Sequence, residues 1–152
     1  VSMGAEVTML STSPSKENDA KMLGAHHFAL STDKDQMKAL RGQFDFILNT
    51  VAAKYDLNKF LDLLTVEGKM LLVGIPPEDN ELGSAKLISR RRSIIGSNVG
   101  GIAETQEMLD YCAEHNILSD VEMIQMKDIN EAYTRISNSD VKYRFVIDMA
   151  SM

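Results

Sequence analysis

Short apolar runs alternate along the chain with segments whose apolar residues recur every three or four positions. Val7 to Leu10 reads as a strand, and Lys16 to Leu23 as a helix that stops at Gly24, where glycine suits the left-handed position after a helix. A second strand, His27 to Leu30, leads through Ser31 and Thr32 into a helix with Met37 and Leu40 as its apolar residues. FDFILNTV, residues 44 to 51, is apolar enough for a strand covered on both faces. Asp56 can cap a helix that carries Leu57, Phe60, Leu61 and Leu64 on one side, and Glu67-Gly68 reads as the turn into the buried strand KMLLVGIPP, which ends at Gly74. An acidic loop from Glu78 to Gly83, a short polar helix and the basic run Arg90 to Arg92 lead into SIIGSNVGG. A long helix, Glu104 to Asn116, places Met108, Leu109, Tyr111 and Cys112 on its apolar side. The tail gives a strand (Val121 to Met126), a helix (Asp128 to Ile136) and a strand (Tyr143 to Met149). This order predicts an α/β fold with a parallel sheet.

SMGAEV, beginning at Ser2, echoes MLGAHHF, beginning at Met22: each reads as a helix ending at Gly-Ala before a strand. The echo implies that Val1 to Met3 is the last turn of a helix, with a strand and the body of that helix upstream.

Composition narrows the class. At 152 residues, 44% hydrophobic and 25% charged, the chain suits one globular unit and excludes a wholly disordered one. Its net charge of -6 argues against general attraction to nucleic acid or an anionic membrane, leaving a small or protein partner. Cys112 is the one cysteine, so the chain forms no internal disulfide and the cytoplasm is the expected compartment. No signal-peptide pattern and no apolar run of about 20 residues, the length that spans a bilayer, is present.

The chemistry begins at VTMLSTSPSK. If Val7 to Leu10 is the second strand of a dinucleotide-binding fold, an acidic residue at position 11 would hold the ribose 2′-hydroxyl of NAD. Ser11, Thr12, Ser13 and Lys16 stand there instead, three hydroxyls and an ammonium able to satisfy phosphate oxygens, which favours NADP over NAD. The same residues also suit a serine-rich turn with Pro14 setting its φ. Three further strand ends carry small or polar groups: Asn49-Thr50-Val51, Val73-Gly74-Ile75 and Ser97-Asn98-Val99. Ligands of open α/β sheets bind beyond such carboxyl ends, and Gly74 and Gly100-Gly101 would let the backbone approach a flat ring. Together these ends outline a groove.

Other candidates carry less. Cys112 and His115 have helical i, i+3 spacing, but two ligands are too few for a closed zinc site. His26 and His27 begin a strand beside no carboxylate in sequence. The ten methionines read as core packing, and Arg90 to Arg92 as a solvated loop.

Taken in order, MGAEVTMLSTSPSK, LGAHHF, FDFILNTV, LLVGIPP, GSNVGGIAETQEMLDYCAEHNI, INEAY and DVKYRFVIDM span nearly the whole chain. Through them the sequence closely resembles the coenzyme-binding region and carboxyl-terminal segment of zinc-dependent, medium-chain alcohol dehydrogenases, the cinnamyl alcohol dehydrogenase group in particular. The resemblance implies that Ser11, Thr12, Ser13 and Lys16 hold the 2′-phosphate of NADP, and that Thr50 and Val51 lie near the adenosine half. It implies nicotinamide contacts for Val73, Gly74, Ile75, Ser97, Asn98 and Val99. Arg144 matches an arginine that approaches the pyrophosphate; from the residues alone it could equally be a surface arginine on an edge strand. Asn49 departs from the Asp of many relatives.

The resemblance also implies what lies elsewhere. The GxGxxG turn belongs just before Val1, and the zinc ligands belong to an amino-terminal catalytic domain, so zinc serves the intact enzyme with no ligands from this chain. The expected architecture is a Rossmann-like parallel sheet lacking its first strand and GxGxxG turn (residues 1–118), followed by a strand-helix-strand segment returning to the catalytic domain (residues 119–152). Without the central strand, VTML and FDFILNTV would have open edges, to be compensated by another chain, by a rearranged strand such as KYRFVIDM, or by direct pairing of the two. The intact enzyme is expected to transfer hydride between NADPH and an aldehyde or its alcohol, to act as a homodimer through SIIGSNV, and to leave this chain alone without catalysis. The competing expectations are a zinc-free quinone oxidoreductase of the same superfamily and a non-catalytic nucleotide-binding or oligomerisation module.

Overall fold

The computed structural model describes residues 1–138 and 140–152. The chain forms two compact units, Val1–Val99 and Gly100–Met152.

In the first unit, β1 (Thr8–Ser11) and β2 (His27–Leu30) form a parallel pair in which Thr8 faces His27 and Ser11 faces Leu30. A 3-10 turn (Pro14–Lys16) and α1 (Glu17–Met22) connect them. Gly24, at φ +93, ends that connection in the conformation that disfavours other residues. Next come α2 (Lys34–Ala39), β3 (Phe44–Asn49), α3 (Leu57–Leu61), β4 (Leu64–Leu72), α4 (Ser84–Ile88) and β5 (Ser93–Gly96). The last three strands form a parallel sheet in the order β3-β4-β5. Asp33 starts α2 by accepting hydrogen bonds from the backbone N–H groups of Asp35 and Gln36, and Asp56 starts α3 by accepting from Asn58.

The core lies on one face of β3-β4-β5. Ile47, Leu57, Leu61, Leu63, Leu64 and Met70 form it, with Leu10, Met37, Leu40 and Ile94 packed against them. Burying one leucine fully is worth about 1.5–3 kcal/mol, and Leu61 and Leu64 are completely buried. On the opposite face of β3, Phe46 and Leu48 are exposed.

In the second unit, α5 (Ile102–Glu114) is followed by β6 (Glu122–Gln125), α6 (Ile129–Ser137) and β7 (Phe145–Asp148). β6 and β7 pair in parallel from Glu122–Phe145 to Gln125–Asp148. Arg135 ties this unit together: it donates to Glu122 and Asp140, and its guanidinium lies 4.8 Å from the Phe145 ring centroid. Those donors draw the Glu122 carboxyl below its ordinary range, the Lys142 backbone N–H contributing most and Arg135 next.

The α/β class with parallel sheets is therefore correct, and several local expectations change. Leu64 leaves the helical series Leu57, Phe60, Leu61 and begins β4 instead. Glu67-Gly68 lies inside β4 as part of a bulge, where the β3 register jumps from Phe44–Leu64 to Phe46–Lys69. Glu67 takes φ +64, and a side chain on Gly68 would meet Leu64 Cβ at 2.9 Å, so the turn chemistry is real although the strand continues through it. Neither internal repair of the open edges occurs among the described residues: β1 does not pair with β3, and KYRFVIDM supplies β7, which pairs with β6. Arg92 is buried rather than solvated. Most methionines are not core residues; Met70 is fully buried, whereas Met3, Met22, Met123, Met149 and Met152 are exposed.

Candidate functional site

The register of the three-stranded sheet sets its carboxyl-terminal edge. Asn49 faces Leu72, and Leu72 faces Gly96, so the three strands end level. Beyond that line the chain continues as Thr50-Val51, Val73-Gly74-Ile75 and Ser97-Asn98-Val99, which brings these eight predicted residues to one edge. Backbone bonds hold the rows together past the strand ends: Val73 N–H donates to the Asn49 carbonyl and Ser97 N–H to the Leu72 carbonyl. Val51, Val73, Ile75 and Val99 are exposed apolar groups, Ile75 at 84% and Val99 at 88%, which leaves a partly apolar rim able to receive a ring.

Gly74 is needed here for packing. A Cβ on it would lie 2.6 Å from the Val51 carbonyl oxygen and 2.9 Å from the Thr50 carbonyl carbon. The close approach is thus to neighbouring backbone, and it locks the β3 and β4 ends side by side. The glycines at 100 and 101 serve a helix start. Glu104 reaches back to accept from Gly101 N–H at 2.8 Å, and a side chain on Gly100 would strike that carboxylate.

The β1 tip forms its own cluster. Ser11 Oγ accepts from Ser13 N–H at 3.2 Å, turning the chain sharply after the strand. Ser13 and Ser15 hydroxyls lie 2.8 Å apart, and Lys16 closes the 3-10 turn by donating its N–H to the Ser13 carbonyl. Thr12, Ser15 and Lys16 are exposed, and among the described residues the Lys16 ammonium makes no ion pair. Several hydroxyls and an available ammonium suit a phosphate. Ser15 was not singled out from the sequence, although its place two residues after Ser13 in the same turn is the signal that could have marked it.

Arg144 lies in the second unit, exposed, just ahead of β7, where its carbonyl accepts from Glu122 N–H.

Two polar pairs correct the sequence reading. His27 Nε2 lies 2.8 Å from Glu6 Oε1, so a carboxylate does stand beside it, and the Glu6 carboxyl is drawn below its ordinary range by that hydrogen bond. His26 Nδ1 accepts from Val7 N–H. Both rings are thereby engaged in joining β1 to β2. Cys112 Sγ lies 3.7 Å from Met108 Sδ, and the His115 ring stacks on Tyr111 at 4.0 Å. Among the described residues no three His, Cys, Asp or Glu side chains are grouped to hold a metal ion, so these residues do not fit zinc. No helix of the described residues is long and apolar enough to cross a membrane.

The zinc-binding dehydrogenase profile matches residues 1–114. The chain is 49% identical over 150 residues to NADP-dependent alcohol dehydrogenase C of Mycobacterium bovis, covering 99% of this chain and 43% of that protein. It superimposes on a cinnamyl alcohol dehydrogenase of Sorghum bicolor with a TM-score of 0.91 at 40% identity, covering 97% of this chain and 42% of that one. The CAD of Helicobacter pylori, solved as a complex with NADP(H), matches with a TM-score of 0.82 at 40% identity, with the same coverage. The chain belongs to the zinc-binding dehydrogenase family, and it spans about two fifths of the length of these relatives.

Proposed function

We propose that this chain is the NADP-binding and carboxyl-terminal part of an NADP-dependent alcohol dehydrogenase or aldehyde reductase. The observation that carries the reading is the β1 tip, where the ribose-binding carboxylate of an NAD site is absent and Ser11, Thr12, Ser13 and Lys16 follow one another through the turn instead. In this reading they hold the 2′-phosphate, Thr50 and Val51 flank the adenosine half, and Val73, Gly74, Ile75, Ser97, Asn98 and Val99 border the nicotinamide. Arg144 approaches the pyrophosphate. The sheet is Rossmann-like without its first strand, so the coenzyme part runs over residues 1–118 and the returning segment over residues 119–152.

When bound, the cofactor supplies a hydride exchanged with an aldehyde or its alcohol. The residues of this chain bind and orient it. Zinc in the intact enzyme takes its ligands from outside this chain, which alone is not catalytic. The edge of β5 (Ser93–Gly96) without a strand partner among the described residues suits a homodimer, in a protein we place in the cytoplasm, and a monomeric mass of the whole protein by light scattering would count against the dimer.

The test is a fluorescence titration of the product of the complete reading frame with NADPH and NADH. NADPH is expected to bind more tightly by at least about tenfold, a difference of about 1.4 kcal/mol. Equal or tighter NADH binding overturns the reading.

A further inference from the structure

The alternation along β3 points Phe46 and Leu48 outward and Ile47 and Asn49 inward, so an amide ends a row that otherwise meets the apolar core. Burying an amide without partners costs on the order of several kcal/mol, and Asn49, only 7% exposed, has both ends engaged. Its Oδ1 accepts from Val51 N–H at 2.8 Å, and its Nδ2 donates to the Tyr55 hydroxyl at 2.7 Å. Tyr55 is itself held: its backbone N–H donates to Asn80 Oδ1, and its ring meets Phe60 edge-on at 5.6 Å. The Asn49 backbone carbonyl accepts from Val73 N–H.

One residue therefore governs two segments. The Oδ1 bond is an Asx turn that bends Thr50-Val51 out of the sheet, and the bend sets the Val51 carbonyl so near Gly74 that no side chain fits there. The Asn49 carbonyl fixes Val73 from the other direction. We infer that Asn49, braced by Tyr55, is a positioning residue that sets the shape of the cofactor-binding edge by clamping Thr50-Val51 against Val73-Gly74. This rests on the proposed cofactor site. Asn49 itself is buried beneath the edge and acts through the segments it holds.

The chemistry names its own conservative replacement. A carboxylate accepts from Val51 N–H as the amide does, and the Tyr55 hydroxyl can reverse its role and donate to the second oxygen. Leucine keeps the same branched outline, is bulkier, and can do neither.

The experiment has two arms. Amide hydrogen exchange on the complete protein reads the clamp without cofactor: Asn49→Leu is expected to speed exchange at Val51 by about tenfold, and Asn49→Asp by less than about threefold, the loss of one hydrogen bond corresponding to about a decade. Amides of Leu61 to Leu64 serve as the reference for global unfolding. NADPH titration of the complete protein reads the consequence: about a tenfold weaker Kd for Asn49→Leu, with recovery in Asn49→Asp. Should Asn49→Leu fail to fold, Tyr55→Phe removes only the brace and is expected to give a smaller change in the same direction. A folded Asn49→Leu, or a Tyr55→Phe in its place, with wild-type exchange at Val51 and wild-type affinity overturns the inference. Wild-type protein that ignores NADPH would instead sink the proposed function, and exchange at Val51 would still decide the clamp.

Discussion

Arg92 shows how a residue-scale role can hide in a run of like residues. Arg90 and Arg91 are exposed, and Arg91 pairs with Glu67 at 2.6 Å. Arg91 takes φ +55, and that reversal turns the next side chain inward, where its guanidinium donates to the carbonyls of Leu64, Thr65, Asp62 and Lys86. Burial pushes the guanidinium pKa down, Arg90 adds to the effect, and Asp62 opposes it. The carbonyls belong to the residue after α3, the first two residues of β4 and the middle of α4, so Arg92 ties the start of β4 to α4. Arg92→Met keeps the stem and removes the donors. It is expected to cost about 2–4 kcal/mol in urea unfolding, mostly from stranded carbonyls. A change below about 0.5 kcal/mol, the usual scatter of surface substitutions, would contradict that role. The sequence held no periodic signal to separate the three arginines, because a left-handed residue reverses the direction that periodicity assumes.

At the scale of elements, most of the fold was legible. β2 was read to the residue at His27–Leu30, and the Asp56 cap of α3 is present. Boundaries moved where two patterns overlapped. Leu57, Phe60, Leu61 and Leu64 share helical spacing, yet Leu64 is needed opposite Phe44, and pairing wins over periodicity. The strand ends leading into Thr50-Val51, Val73-Gly74-Ile75 and Ser97-Asn98-Val99 are visible in the pattern, whereas the Asn49 clamp is not. An inward-facing amide at a strand end is visible by alternation, but its partner Tyr55 lies beyond a turn whose path the pattern does not define. Asp33 gives an element-scale test. Backbone N–H groups of Gln36 and Asp35 hold its carboxyl below the ordinary aspartate range. Its contribution to stability is therefore complete above that ordinary range and lost as pH falls through the lowered value. Asp33→Asn is expected to flatten the acid limb of a thermal-unfolding profile and to leave the neutral-to-alkaline region parallel to wild type. An unchanged acid limb would contradict the account.

At the scale of the molecule, β1 and β3 each keep one edge without a strand partner among the described residues, although Leu10 of β1 packs on the same core as Ile47 of β3. The succession of strands and helices was legible because it depends on local pattern. The unpaired edges follow from long-range connection: among the described residues β1 does not pair with β3, and β7 pairs with β6. The central claim is that the β1 tip recognises a phosphorylated ribose. The most direct measurement titrates 2′,5′-ADP and 5′-AMP into the 152-residue chain and follows backbone amide NMR shifts. The result expected is saturable movement at Ser11, Thr12, Ser13 and Lys16 with 2′,5′-ADP only, abolished in Lys16→Asp. Equal shifts with 5′-AMP, or none at the tip, would contradict the claim.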